Sequence, residues 1–282
     1  MKEKIKKLFG SLFIAVAIVC LIAAYQQWKL YQEGSKEYEE IAENHTEEPG
    51  DNEDDDDFSI DWDALFAQNP DLVGWIRMSP TANYPIVKGT DNSFYLKHGF
   101  DKSYNINGCI FMHYQNSKDW TDKNTIVYGH NMISGAMFGN NDYYKDISYA
   151  KEHPYFFIYT PDGMYTYKIF DTITAKDATD PYEINIDSEE SFGEYLEKMN
   201  QMKDYGLDTQ VSTKDRIVTL STCTSQGNKR FIIQGVLYSF TDTSKNVYKA
   251  EELRNKEETE SISATDSDST VFSSEDTVLT DQ

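Results

Sequence analysis

Thr219-Leu220-Ser221-Thr222-Cys223, with Arg230 seven residues beyond the cysteine, is the stretch that decides how this chain reads. Residues 216–222 and 230–240 are rich in β-branched and aromatic residues, which predicts two strands joined by the polar turn 224–229. If they pair as neighbours, Cys223 ends one strand and Arg230 begins the next, so closeness in sequence becomes closeness in space. A free thiol has a pKa of roughly 8.5 and is only slightly ionised at neutral pH. Nucleophilic work by Cys223 therefore needs a partner that stabilises thiolate or takes its proton. His130, in Tyr128-Gly129-His130-Asn131, is the candidate proton carrier. Arg230 is the candidate oxyanion partner, because a guanidinium stays charged and donates in a fixed fork. The competing reading of Cys223 is a buried structural cysteine, against which stand its polar neighbours Ser221, Thr222 and Thr224. Of the other arginines, Arg254 is in the tail, Arg77 is in the amino-terminal region, and Arg216 lies about 20 Å of extended chain before the cysteine.

The chain around this pair is predominantly β in pattern. A short helix is expected over 61–69, opening at an aspartate cap, with Trp62, Leu65 and Phe66 on one side and Pro70 beyond it. Strands are expected over 84–87, 109–114, 125–130, 155–160 and 164–173, with a hairpin at Pro161-Asp162-Gly163. Over 187–203 the period changes, and Phe192, Tyr195, Leu196, Met199 and Met202 fall at helical spacing as a core-facing stripe. Eight or so strands with a few peripheral helices suggest a closed or nearly closed β-barrel.

The ends of the 282-residue chain have a different character. Residues 8–25 form an apolar run of 18 without a charge, about 27 Å long as a helix and near the thickness of a bilayer core. Lys2, Lys4, Lys6 and Lys7 precede it, so the positive-inside bias puts residues 1–7 in the cytoplasm and the rest outside. The run is read as an uncleaved single-pass anchor; the competing reading is a cleaved signal peptide, with Ala23 and Ala24 closing the run. Residues 39–63 hold 13 acidic residues and no Lys or Arg, and residues 251–282 hold 10 acidic and 2 basic. These two stretches account for all but one of the net charge of −22, leaving a nearly neutral middle and no case for a nucleic-acid partner. The organisation read from this is a cytoplasmic end 1–7, an anchor 8–25, an acidic linker 26–60, a catalytic domain 61–245 and an acidic tail 246–282. Linker and tail are both expected to be disordered and solvated. The run Asp54-Asp55-Asp56-Asp57 lacks the spaced, glycine-containing pattern of a calcium loop. With three cysteines, of which Cys20 lies in the apolar run, no disulfide framework is expected. A Cys109–Cys223 bridge would consume the nucleophile, so Cys109 is read as a buried strand residue. No CxxC or HxxxH spacing points to zinc, and no metal or other cofactor is expected.

The TLSTC strand end, the upstream His130 and the downstream Arg230 together resemble the sortase family of cysteine transpeptidases. The likeness runs over residues 61–240. Val73-Gly74-Trp75-Ile76, Tyr84-Pro85-Ile86-Val87, Asp91-Asn92, Gly108-Cys109-Ile110-Phe111-Met112 and the helical stretch before the cysteine strand are similar to class B members. His45 lies in the acidic stretch, and His98, His113 and His153 lack this family context. The resemblance implies a sortase-type barrel in which Cys223, His130 and Arg230 are catalytic and Asn92, Leu96, Tyr128, Tyr182, Ser221 and Thr222 line a sorting-signal groove. Tyr128 and Leu96 could equally be core residues. It also implies an enzyme on the outer face of a Gram-positive cell, which cuts a carboxy-terminal sorting signal of a surface protein after threonine. A thioester would carry the protein to a peptidoglycan precursor or cross-bridge amine. Two alternatives are a pilus-polymerising sortase that uses a pilin lysine and a non-enzymatic, surface-tethered binding module.

Overall fold

The computed structural model describes residues 2–47, 58–78, 80–176, 180–223, 229–257 and 259. In chain order the helices are α1 (Lys2–His45), α2 (Trp62–Gln68), α3 (Ile147–Glu152) and α4 (Glu189–Met202). The strands are β1 (Thr46–Glu47), β2 (Ser59–Ile60), β3 (Leu72–Met78), β4 (Ala82–Val87), β5 (Ile110–Met112), β6 (Asn124–Gly129), β7 (Tyr155–Thr160), β8 (Gly163–Lys176), β9 (Tyr205–Gly206), β10 (Ile217–Cys223), β11 (Lys229–Asp242) and β12 (Val247–Lys249).

Hydrogen bonding runs in the order β11-β10-β6-β5-β4-β3-β7-β8, and β8 pairs back onto β11, so eight strands close into the expected barrel. Closure depends on the two longest strands. β8 and β11 pair from Lys229↔Lys176 to Asp242↔Gly163, with register shifts between Gln234 and Gly235 and between Leu237 and Ser239 that bend the pair around the barrel. The expected hairpin is present: β7 and β8 meet at Thr160↔Gly163. Gly163 adopts φ +148°, and a Cβ there would lie 2.2 Å from the Thr241 carbonyl oxygen, so only glycine fits.

Alternation sorts the side chains of each strand into two layers. Val218, Leu220, Phe231, Ile233, Val127 and Ile169 fall on the inner face with Ile76 and Phe156. Ile217, Ile232, Val236 and Ile173 form a second apolar layer on the outside, covered by Phe192, Tyr195 and Met199 of α4. α4 opens with a reciprocal Ser188–Ser191 capping box, and its apolar stripe is the one expected from the sequence. α2 opens as expected, with the Asp61 carboxylate accepting from the Ala64 amide at 3.1 Å.

The packed body extends beyond the expected limits of 61 and 245. α1 does not end with the apolar run but continues as one 44-residue helix to His45. Its last turns dock on the barrel, where Tyr38 is only 2% exposed and its hydroxyl donates to the Gly108 carbonyl. Glu37 accepts from the Phe100 amide (2.9 Å) and from Asn105 Nδ2 (2.6 Å), and Asn107 Nδ2 donates to the Tyr31 carbonyl (3.2 Å). Residues 26–45 are therefore not a disordered linker; the Asp54–Asp57 run falls outside the described residues. At the other end β12 pairs with β11, and the helical residues 250–257 bury Leu253. Arg254 bonds Asp215 at 2.5 Å and Arg216 bonds Glu257 at 3.1 Å, so the tail is ordered well past 246; residues 260–282 are outside the described set. The apolar part of α1, from Phe9 to Leu30, stays exposed, and α1 is long and apolar enough to cross a membrane.

Candidate active site

Three neighbouring strands place the residues singled out in the sequence. β6 and β10 run parallel, with Tyr128 opposite Ser221 and Gly129 opposite Thr222, so His130 and Cys223 are the next residues on adjacent strands. β10 and β11 run antiparallel, and their register pairs Cys223 with Arg230. Strands lie about 4.8 Å apart, so the three backbones fall within two strand spacings. By alternation Arg230 shares the outer barrel face with Ser221 and Ile232, the face that α4 covers farther along, and residues 130 and 223 lie beside it at the same strand end. Residues 224–228, which hold most of the expected polar turn, are outside the described residues.

Gly129 explains how His130 reaches this edge. A Cβ at Gly129 would come within 2.5 Å of Ile110 and 2.6 Å of Phe138, so those side chains occupy the space beneath the strand end. His130 Nε2 lies 2.7 Å from the Leu96 carbonyl oxygen. A carbonyl can only accept, so Nε2 carries a proton here and the second ring nitrogen is left for other exchange. Leu96 itself is 37% exposed at the end of the 3-10 turn Phe94–Leu96, which settles that it is not a core residue. Asp91 holds that turn by accepting from the Ser93 and Phe94 amides.

A wall of rings continues from the strand end. Tyr128 stacks on Tyr182, with centroids 6.0 Å apart and planes 24° apart, and Tyr182 Oη shares a hydrogen bond with Ser221 Oγ at 2.8 Å. Burial pushes the Tyr128 phenol well above its usual pKa, Tyr182 adds to that, and the nearby Arg230 charge opposes it. His113 and Tyr114, which the sequence reading left unassigned, extend the wall: His113 lies 6.0 Å from the Tyr128 ring and 5.0 Å from Tyr114, and Asn92 Oδ1 accepts from the Tyr114 amide at 3.0 Å. Asn92, Tyr128, Tyr182 and Ser221 thus share one surface beside His130. Thr222 lies between Gly129 and Phe231 in the register and is 2% exposed.

Cys109 is a free, buried thiol just before β5, and burial pushes its pKa up to about 12. Among the described residues no group of three or more His, Cys, Asp or Glu is placed to hold a metal ion. A strand end that presents a thiol-bearing residue, an imidazole and a guanidinium along one edge has the composition needed for acyl transfer through a covalent intermediate.

The sortase domain family model matches residues 78–238. Sortase B of Listeria monocytogenes is 38% identical over 175 residues, which is 60% of this chain and 70% of that protein. The solved structure of sortase B from Listeria monocytogenes superposes with a TM-score of 0.57 at 36% identity, covering 61% of this chain and 98% of that one. A structure of sortase B from Bacillus anthracis gives 0.61 at 30% identity, covering 77% and 98%. With its closed eight-stranded barrel and the match to well over half its length, the chain belongs to the sortase family and is a class B cysteine transpeptidase of the cell-wall type.

Proposed function

We propose that this chain is held in the cell membrane by residues 8–25 of α1, amino terminus inside, and that its barrel works on the outer face. There it would cleave a carboxy-terminal sorting signal after threonine and pass the protein to a peptidoglycan amine. Cys223 Sγ, its proton passed to His130, attacks the threonine carbonyl carbon, forming a C–S bond, and the tetrahedral oxyanion draws on the Arg230 guanidinium. Collapse breaks the C–N bond while His130 gives a proton to the leaving amine, so the released peptide carries a neutral amino terminus and the enzyme holds a thioester. The acceptor amine then attacks the thioester carbon, loses its proton to His130, and expels the Cys223 sulfur. Asn92, Leu96, Tyr128, Tyr182 and Ser221 would line the groove for the signal, as would the backbone at Thr222.

The observation that carries this reading is the register: Cys223 opposite Arg230 across one pair, and one step past Thr222↔Gly129 across the other. The test is mass spectrometry of products from a sorting-signal peptide incubated with candidate wall amines. Wild type should give the amine adduct, Cys223→Ala none, and Arg230→Ala a loss of about 10²- to 10³-fold in turnover with an unchanged urea midpoint. Equal turnover by Cys223→Ala, or by folded Arg230→Ala, would defeat the corresponding role. An adduct formed only with a protein lysine would instead indicate pilin polymerisation.

A further inference from the structure

Asn124, the first residue of β6, is 1% exposed, yet its side chain reaches out of the barrel toward the segment that carries Tyr182. Its Nδ2 donates to the Glu183 carbonyl at 2.9 Å and lies 3.4 Å from the Pro181 carbonyl, the two carbonyls that flank Tyr182. Its Oδ1 accepts from Thr219 Oγ1 at 2.7 Å. Tyr195 of α4 acts in the same sense: its hydroxyl donates to the Pro181 carbonyl (3.3 Å) and accepts from Gln234 Nε2 (2.6 Å), which also donates to Thr219 Oγ1 (2.9 Å). The donors form a consistent set, with the Thr219 hydroxyl, both Gln234 amide hydrogens, the Tyr195 hydroxyl and the Asn124 amide all directed to acceptors. Between Tyr182 and α4, residues 183–188 have no regular structure, so no backbone ladder fixes this stretch. Besides the packing of Tyr182 and Ile186 on the outer apolar layer, what holds it is a buried side-chain network rooted in β6, β10 and β11, where a lost partner is costly because water cannot replace it.

We infer that Asn124 is a positioning residue for substrate engagement: by clamping the carbonyls on both sides of Tyr182, it holds that ring against Tyr128 and its hydroxyl on Ser221, two residues before Cys223. Asn124 touches none of the proposed reacting groups and acts only through Tyr182. The inference rests on the reading of Tyr182 as a groove residue, so the experiment tests the two separately.

Steady-state kinetics on a sorting-signal peptide are measured for the full chain in detergent micelles, with iodoacetamide alkylation of Cys223 as a check on the nucleophile. Tyr182→Ala should raise KM about ten-fold. Asn124→Ala should raise KM to a similar extent, with kcat and the alkylation rate within about two-fold of wild type, and the double variant should be no worse than either single one. Tyr195→Phe, a milder change that removes only the hydroxyl, should raise KM about three-fold, and it decides the matter if Asn124→Ala does not fold. An unchanged KM in Tyr182→Ala would remove the groove reading. A raised KM in Tyr182→Ala with an unchanged KM in the folded clamp variants, or effects that multiply in the double variant, would overturn the positioning role of Asn124 alone.

Discussion

Replacing Asp171 by asparagine should change how the fold responds to pH. Asp171 sits at the β8 bulge, 3% exposed, opposite Gln234 in β11. Burial pushes its carboxyl from an ordinary 3.8 up to about 8; Lys203 opposes this and Asp204 adds to it. Among the described residues, Asp171 Oδ1 and Gln234 Oε1 are both buried acceptors without a hydrogen-bond partner. A proton on the carboxyl supplies the donor that this pair lacks. The sign follows from linkage: the folded state binds the proton more tightly than the unfolded chain, so stability is full below about pH 4 and falls as pH rises toward 8. The slope is about 1.4 kcal/mol per pH unit and the whole loss on the order of 5 kcal/mol, most of it already incurred at pH 7. Asparagine keeps the shape, cannot ionise, and brings an amide donor toward Gln234. Urea unfolding of wild type and Asp171→Asn, followed by tryptophan fluorescence from pH 5 to 9, isolates this group because the other titrations are common to both. The variant's advantage should grow steadily from pH 5 to 8 and then level off. Two stability curves that stay parallel across that range would refute the reasoning.

Two further outcomes follow from the docked helix and the second thiol. A chain starting at Tyr31 should be soluble, folded and as active on peptide as the full chain. One starting at Glu47 loses Glu37, Tyr38 and Ile41 and should be less stable by about 3–5 kcal/mol, read from its urea midpoint; equal midpoints would mean that α1 contributes nothing to the fold. In the Tyr31 chain, which lacks Cys20, iodoacetamide should modify Cys223 and leave Cys109 unlabelled until urea is added, because that thiol is buried and its pKa is raised to about 12. Labelling of Cys109 in the folded protein, seen by peptide mapping, would contradict its placement.

Much of this was legible in the sequence where one face of an element is wet. β7 shows its observed bounds as a run of aromatic and β-branched residues, and its burial, with Phe156 and Ile158 inside and Tyr155, Phe157 and Tyr159 less buried, has the period of two that one wet face gives. α4 showed its stripe for the same reason at period 3.6. β3 was not assigned as a strand, because nearly all of its residues are buried and no alternation survives to be detected. In α1 the glutamates hid a docking stripe that was present all along: Gly34, Tyr38, Ile41 and Ala42 recur at helical spacing beneath the acidic composition. The neighbourhood of Cys223 and Arg230 could be foreseen because one short turn joins their strands. The Asn124 clamp could not, since its partners Glu183 and Thr219 lie 59 and 95 residues away and nothing local marks them.

The unbroken course of α1 bears on where such an enzyme can operate. Only five residues separate Tyr25 at the end of the apolar run from Tyr31, about 9 Å farther along the helix, whose carbonyl is already bonded to Asn107 of the barrel. A flexible leash would let the catalytic edge sweep a hemisphere at varying height. If residues 8–25 span the membrane as proposed, a stiff mast of this length would set one altitude close to the lipid and leave only lateral drift and spin, so both the incoming protein and the amine that receives it would have to be presented within that thin layer.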